Sequence, residues 1–283
     1  MVSTGFSCWK CSCLRASIFV LSCFSLFWLL FQESLQAHSA HVDSAPDPWL
    51  QTIRRLAGEE SRVFSIEDMP TVQKNNPPPA LLSTRMEVLR KYNHSRVVNR
   101  WDICGMFGEL MLNSTEVIGA ELGTWKGDFA ARCLSKTLGT LMMVDPFAHL
   151  DDWNMPFNIA QEKFEAVFEG TRKRVAPFGP RGLFLRAPAY RACKVVPDEV
   201  LDWIYIDGDH TLQGAMADLL DWYPKVKLGG VIFGHDYRDT PGGGKFDDVQ
   251  VKLAVSIFAR AKGLVTHTVS TDGPVFAVLK TAA

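Results

Sequence analysis

At 283 residues the chain is long enough for one α/β domain with a sizeable core and additions around it. Hydrophobic residues make up 47% and charged residues 22%, and a formal net charge of -1 with an isoelectric point near 6.7 does not provide the basic surface that a nucleic-acid partner needs. Cysteine usage is lopsided: Cys8, Cys11, Cys13 and Cys23 crowd the start, while only Cys104, Cys133 and Cys193 belong to the body. Three is an odd number, which excludes a disulfide scaffold.

Residues 1–15 read as a cytosolic, cysteine-containing tail. No His or Cys follows Cys8-x-x-Cys11-x-Cys13 at zinc-site spacing, and cysteines beside a membrane segment are palmitoylation sites or inert. Residues 16–31 carry no charge and follow Lys10 and Arg15, the pattern of a signal anchor or a secretory signal. An uncleaved type II anchor is the favoured reading. Small residues at Ala37 and Ala40 keep cleavage open. The positive flank predicts a luminal body held at the membrane of the Golgi or endoplasmic reticulum, or a secreted one after cleavage. Two sequons, Asn93-His94-Ser95 and Asn113-Ser114-Thr115, would then be glycan acceptors.

Residues 32–47 read as a polar stem and 48–100 as a helical cap. Within the cap, Trp49–Leu56 and Leu81–Tyr92 are predicted helices, parted by prolines 77–79 that exclude a helix there. From residue 101 to 283 short apolar runs alternate with helical patterns. The first strand, Val117–Leu122, turns through Gly123 and Gly127 into a helix carrying Phe129, Cys133, Leu134 and Leu138. Thr140–Val144 is the second strand, closed by Asp145-Pro146, and a helix near 159–170 puts Ala160, Phe164, Val167 and Phe168 on one face. Arg172-Lys173-Arg174 at its end reads as a solvated last turn, favoured by the helix dipole. Leu183–Leu185 is the third strand.

Trp203–Ile206, an apolar run ending in Asp207-Gly208-Asp209-His210, is the strand around which the chain is organised. It leads into a helix with Leu212, Ala215, Met216, Leu219, Leu220 and Tyr223 on one face, then into a second strand, Leu228–Phe233, that again ends in His235-Asp236. A helix near 247–262 with Val249, Leu253, Ala254, Ile257, Phe258 and Ala261 follows. Runs 264–269 and 274–279, split by Thr271-Asp272-Gly273, predict an antiparallel hairpin at the sheet edge.

Ligands of open α/β sheets bind at the carboxyl ends of the strands, where Glu121, Asp145, Asp207 and His235 fall. Glycines after the first strand let the backbone approach a ligand, and Asp145, about 20 residues on, suits the hydroxyls of a ribose. The full dinucleotide fingerprint is missing. Glu121 would repel a pyrophosphate and suits a cationic ligand, so S-adenosylmethionine fits better than NAD.

Four motifs in order, Glu-Leu-Gly-Thr-Trp-Lys-Gly-Asp (121–128), Val-Asp-Pro-Phe (144–147), Tyr-Ile-Asp-Gly-Asp-His-Thr (205–211) and Gly-Gly-Val-Ile-Phe-Gly-His-Asp-Tyr (229–237), resemble class I S-adenosylmethionine-dependent methyltransferases. The group they are most similar to is methyltransferase family 24, with its macrocin-type sugar O-methyltransferases. The resemblance implies an α/β, Rossmann-like fold, a mostly parallel seven-stranded sheet with an antiparallel last strand. It also implies that Glu121, Gly123 and Thr124 meet the amino-acid end of the cofactor and Asp145 its ribose, with Gly127 completing the cofactor-binding turn. Asp207 and Asp236 match the magnesium or manganese ligands of metal-dependent relatives, although His235 replaces one expected acid.

The reaction expected is displacement of the sulfonium methyl by a substrate oxygen on a sugar, glycan or small molecule. The hydroxyl proton leaves with the help of a metal on Asp207 and Asp236 or of His210 or His235 as base, with Asp209 orienting His210 or joining the metal. Competing readings are a phenolic or lipid acceptor, an NAD-binding oxidoreductase on a similar sheet, and a non-catalytic binding protein with a degenerate site. Against these stand capping roles for Asp207 and Asp209 near Thr211, a turn role for Asp145 and a packing role for His235. The loop 239–245 and the cap are expected to select the acceptor; Trp125 and Trp153 read as packing or lid residues.

Overall fold

The computed structural model describes residues 79–92, 100–111, 114–151, 157–240, 249–270 and 274–281. The predicted tail, membrane segment, stem and first cap helix lie outside these residues, as do Trp153, both sequon asparagines and most of the loop after residue 239. Among the described residues no helix is long and apolar enough to cross a membrane.

Helix α1 (Pro79–Tyr92) realises the second predicted cap helix, but it starts on a proline. Pro79 stands in the first turn, where an amide has no intrahelical acceptor and the fixed φ of proline suits a helix. A 3₁₀ turn (Arg100–Asp102) leads into α2 (Ile103–Leu110). Then come β1 (Ile118–Leu122), α3 (Asp128–Lys136), β2 (Thr140–Val144), α4 (Gln161–Val175), β3 (Gly182–Leu185) and the single turn α5 (Ala189–Ala192). The second half holds β4 (Leu201–Ile206), α6 (Leu212–Trp222), β5 (Val226–Gly234), the short pair β6 (Asp239–Thr240) and β7 (Val249–Gln250), α7 (Val251–Lys262), β8 (Thr266–Ser270) and β9 (Val275–Leu279).

One seven-stranded sheet has the order β3-β2-β1-β4-β5-β9-β8. The first five strands are parallel, and β9 runs antiparallel to both β5 and β8. The predicted hairpin therefore exists, with its second strand inserted inside the sheet and its first strand forming the edge.

Alternation along each strand builds the layers on either side. Ile204 and Ile206 of β4, with Ala120, Leu122 and Val144, pack under α6 and α7. Trp203 and Tyr205, with Met143, Phe233 and Ala277, face α1, α2 and α3. On this second face Phe107 of α2 lies 4.2 Å from Trp203 and 4.7 Å from Phe233, ring to ring. Trp203 in turn occupies the space beside Gly119 that any side chain there would overlap.

The apolar stripe of α7 differs from expectation: Val251, Ala254, Val255, Phe258 and Ala259 are buried, while Leu253 and Ile257 are exposed. Beginning the helix at 251 rather than 247 rotates the buried stripe by one position. Leu220 of α6 is likewise exposed, and Trp222 takes a buried place.

Buried polar groups stitch the layers. Arg85 of α1, 7% exposed, donates to the carbonyls of Leu110 and Gly229 and ties the cap helix to the sheet. Lys280 donates to the carbonyls of Tyr223 (3.1 Å) and Val226 (2.8 Å), closing the end of α6. Cys104 of α2 and Cys133 of α3 form a buried disulfide, leaving Cys193 as a buried free thiol. An odd count excluded a scaffold of bridges but not one bridge. Arg172 and Arg174 occupy the last turn of α4, pairing with Glu169 and Asp128.

Candidate active site

Three strand ends meet at one edge of the sheet. The amide of Gly123 bonds to Val144 O, that of Asp207 to Leu122 O and that of His235 to Ile206 O, each at 2.9 Å, so the loops after β1, β4 and β5 leave the sheet side by side. Gly123 adopts φ +81, and a side chain on it would overlap the Asp207 carbonyl. The glycine thus lets β1 close onto β4. Gly127, expected to make room for a ligand, instead gives its space to α4: a Cβ there would lie 2.6 Å from Thr171 Cγ2. Trp125, Phe147 and Asp236, in the loops after β1, β2 and β5, also have positive φ. Backbone strain of this kind, for residues other than glycine, collects at functional sites.

Glu121, the last residue but one of β1, lies on the same face as Tyr205, its register partner. It is 2% exposed. Burial, reinforced by the nearby Asp207 charge, raises its pKa well above the usual range, and the neighbouring Thr124 hydroxyl offsets only part of this. Glu121 Oε2, Thr124 Oγ1 and the Tyr205 hydroxyl are buried with no hydrogen-bond partner of good geometry among the described residues. Orphaned polar atoms of this kind are costly, and a cationic, hydrogen-bonding ligand would satisfy them. The residues therefore fit the ammonium-bearing end of S-adenosylmethionine.

Asp145 sits at the end of β2 as expected, buried, with Oδ2 accepting from the Trp125 amide and Oδ1 from the Phe147 amide, both at 2.8 Å. It organises the two strained loops, and each oxygen keeps one lone pair for a ribose hydroxyl. Burial raises its pKa, and the two amides pull it back.

Asp207, His210, His235 and Asp236 form one cluster. His210 lies 3.2 Å from Asp207 through Nε2 and 3.4 Å from Asp236 through Nδ1, while His235 Nδ1 is 3.4 Å from Asp207 and 3.6 Å from Asp236. Arg238 pairs with Asp236 at 3.2 Å, and Arg100 approaches Asp207 at 3.7 Å. Burial disfavours the charge of His235, but its bonds to Asp207 and Asp236 outweigh that and raise its pKa to about 9. Against the same opposing burial, the imidazoles lower Asp207, and His235 foremost brings Asp236 to about 2.

Asp209 does not join this cluster. Its carboxylate accepts from the Thr211 amide at 2.9 Å and its side chain fills the space beside Gly214. Thr211 itself caps α6, accepting from Gly214 N. The capping role weighed for the two aspartates thus falls to Thr211, supported by Asp209, while Asp207 stays in the cluster.

Asp207, His210 and His235 each offer an atom within 4.8 Å of the others, so together they could hold a metal ion. The expected pair was Asp207 and Asp236. Two imidazoles make the set poor for magnesium and better for manganese or zinc. Arg100, Tyr205 and Arg238 were missed in the sequence, since a lone arginine before a helix or an aromatic inside a strand carries no motif.

A family model described as a methyltransferase domain matches residues 120–237. No curated protein matches the chain. Among solved structures, an O-methyltransferase from Bacillus cereus in complex with SAH is 15% identical, covering 87% of this chain and 97% of that one with a TM-score of 0.42. A methyltransferase from Geobacter sulfurreducens is 11% identical, covering 76% and 92%, with a TM-score of 0.44. The matched stretch runs from β1 through the loop after β5 and holds Glu121, Asp145, Asp207, His210 and His235, so the chain carries a methyltransferase domain and is an S-adenosylmethionine-dependent methyltransferase.

Proposed function

We propose that the enzyme methylates a hydroxyl oxygen, on a sugar or glycan, in the lumen of the secretory pathway, to whose membrane residues 16–31 anchor it. The observation that carries the proposal is the cluster of Asp207, His210, His235 and Asp236 beside Glu121. An oxygen nucleophile must lose a proton at or near methyl transfer, and this cluster is the place for it to go. The buried Cys104–Cys133 disulfide supports an oxidising compartment.

S-adenosylmethionine, when bound, supplies an electrophilic methyl group on a sulfonium. Glu121 and Thr124 hold its amino-acid end and Asp145 its ribose. The acceptor's proton passes to the His210 imidazole, which lies between the carboxylates of Asp207 at Nε2 and Asp236 at Nδ1. His235, whose pKa is raised to about 9, stays protonated near neutral pH and holds the two carboxylates in place. A second reading is favoured by the donor set of Asp207, His210 and His235, which would bind manganese or zinc and lower the pKa of the acceptor hydroxyl.

The test is transfer of labelled methyl from S-adenosylmethionine by the full chain to an oligosaccharide panel and, separately, to catechols. Label on sugar oxygens, lost in His210→Gln, is the expected result. Label on catechols alone would refute the sugar acceptor. Activity abolished by a chelator and restored by manganese would select the metal reading.

A further inference from the structure

Arg100 is the first residue of the 3₁₀ turn that precedes α2, on the sheet face that carries Glu121 and Tyr205. Its guanidinium lies 4.5 Å from the centre of the Trp101 ring, which steadies the side chain. The closest approach to Asp207, 3.7 Å, is an ion pair too long for a hydrogen bond. Among the described residues its guanidinium donates no hydrogen bond, and its side chain is 35% exposed. It is a reachable cation with uncommitted donors.

Arg100 lies 3.7 Å from Asp207, which follows Tyr205 by two residues and so shares its face of the sheet, and Glu121 is the register partner of Tyr205, so the three groups stand together at this end of β1 and β4. There Glu121 Oε2, Thr124 Oγ1 and the Tyr205 hydroxyl are buried and unpartnered. An acid and a guanidinium that share a space without pairing with each other are complementary to a zwitterion, whose ammonium meets the acid and whose carboxylate meets the guanidinium. Arg238 reaches the cluster from the loop after β5 and is committed to Asp236, so it does not compete for this role.

We infer that Arg100 binds the carboxylate of the cofactor's amino-acid moiety, across the pocket from Glu121. This rests on the methyltransferase reading and adds a residue to it. Arg100 lies outside residues 120–237, the stretch matched by the family. The turn before α2 would then belong to the cofactor pocket, and the acceptor would find this corner already filled.

The experiment compares two ligands by calorimetry on the full chain: S-adenosylhomocysteine, which carries the amino-acid moiety, and 5′-methylthioadenosine, which lacks it. Arg100→Gln should weaken S-adenosylhomocysteine roughly 10- to 100-fold, the range of charge-assisted hydrogen bonds. Binding of 5′-methylthioadenosine should stay within about twofold, and Arg100→Lys should recover part of the loss because it keeps the charge. The ratio of the two affinities within each variant is the readout, so a general loosening of the fold, which lowers both together, overturns the inference. So does an unchanged ratio. A wild-type chain that binds neither ligand would remove the methyltransferase reading as well, whereas a wild-type chain that binds both with an unchanged ratio in Arg100→Gln removes only the role of Arg100.

Discussion

Replacing Glu121 with glutamine should stabilise the empty protein and weaken cofactor binding. The carboxyl is 2% exposed, its Oε2 has no partner among the described residues, and burial raises its pKa well above 4.5. A carboxyl with a raised folded-state pKa holds its proton more tightly when folded than when unfolded. Folding therefore keeps its full stability below pH 4.5, and loses it as pH climbs from there towards the folded-state value. Every pH unit of that rise costs about 1.4 kcal/mol. Glutamine has the same shape and no charge to desolvate, so the variant should lack this slope.

Taking the cost of an unsatisfied buried polar group, the gain near pH 8 should be about 1–3 kcal/mol, or roughly 2–12 °C in Tm for a domain of this size. Loss of the charged partner for the ammonium should weaken S-adenosylhomocysteine by roughly 10- to 150-fold. Thermal unfolding of both proteins between pH 5 and 8, followed by calorimetric titration, measures the two effects. A variant less stable than wild type throughout that range, or one that binds the ligand equally well, would refute the reasoning.

Two further outcomes follow from the packing. Gly123→Ala places a Cβ at φ +81 against the Asp207 carbonyl, so it should cost roughly 2 kcal/mol or more and abolish ligand binding; unchanged denaturant midpoint and affinity would remove the close approach of β1 to β4 as its cause. Joint replacement of Cys104 and Cys133 by alanine opens a cross-link with sequence separation 29, for which chain entropy predicts a loss of roughly 3–4 kcal/mol. Scanning calorimetry should show a Tm drop of roughly 6–16 °C, reproduced by wild type after reduction under denaturing conditions, and no change in either sample would rule out the bridge as a stabilising element.

The strands and their acids were legible because each is a local signal. An apolar run such as Trp203–Ile206 bounded by Asp207 and Gly208 can be read as a buried strand whatever surrounds it, and Glu121, Asp145 and His235 are recognised by standing at the ends of such runs. Helix faces were less secure. Leu253 and Ile257 fit the periodicity of α7 but lie outside, because the phase of a helix depends on where it begins and on what it packs against.

What the chain by itself determined is the α/β alternation, the order of the four motifs and the set of acids and histidines at the strand ends. What only the tertiary structure decided is which of these meet. Whether Asp209 faces His210 or the Thr211 amide is a matter of side-chain direction. Thr171 fills the space at Gly127, and Cys133 finds Cys104 through the docking of two helices. Arg100 reaches Asp207 across more than 100 positions of sequence, because α2 packs on the β1–β4 face. Such contacts depend on distances between separate elements, which local propensity and periodicity do not encode.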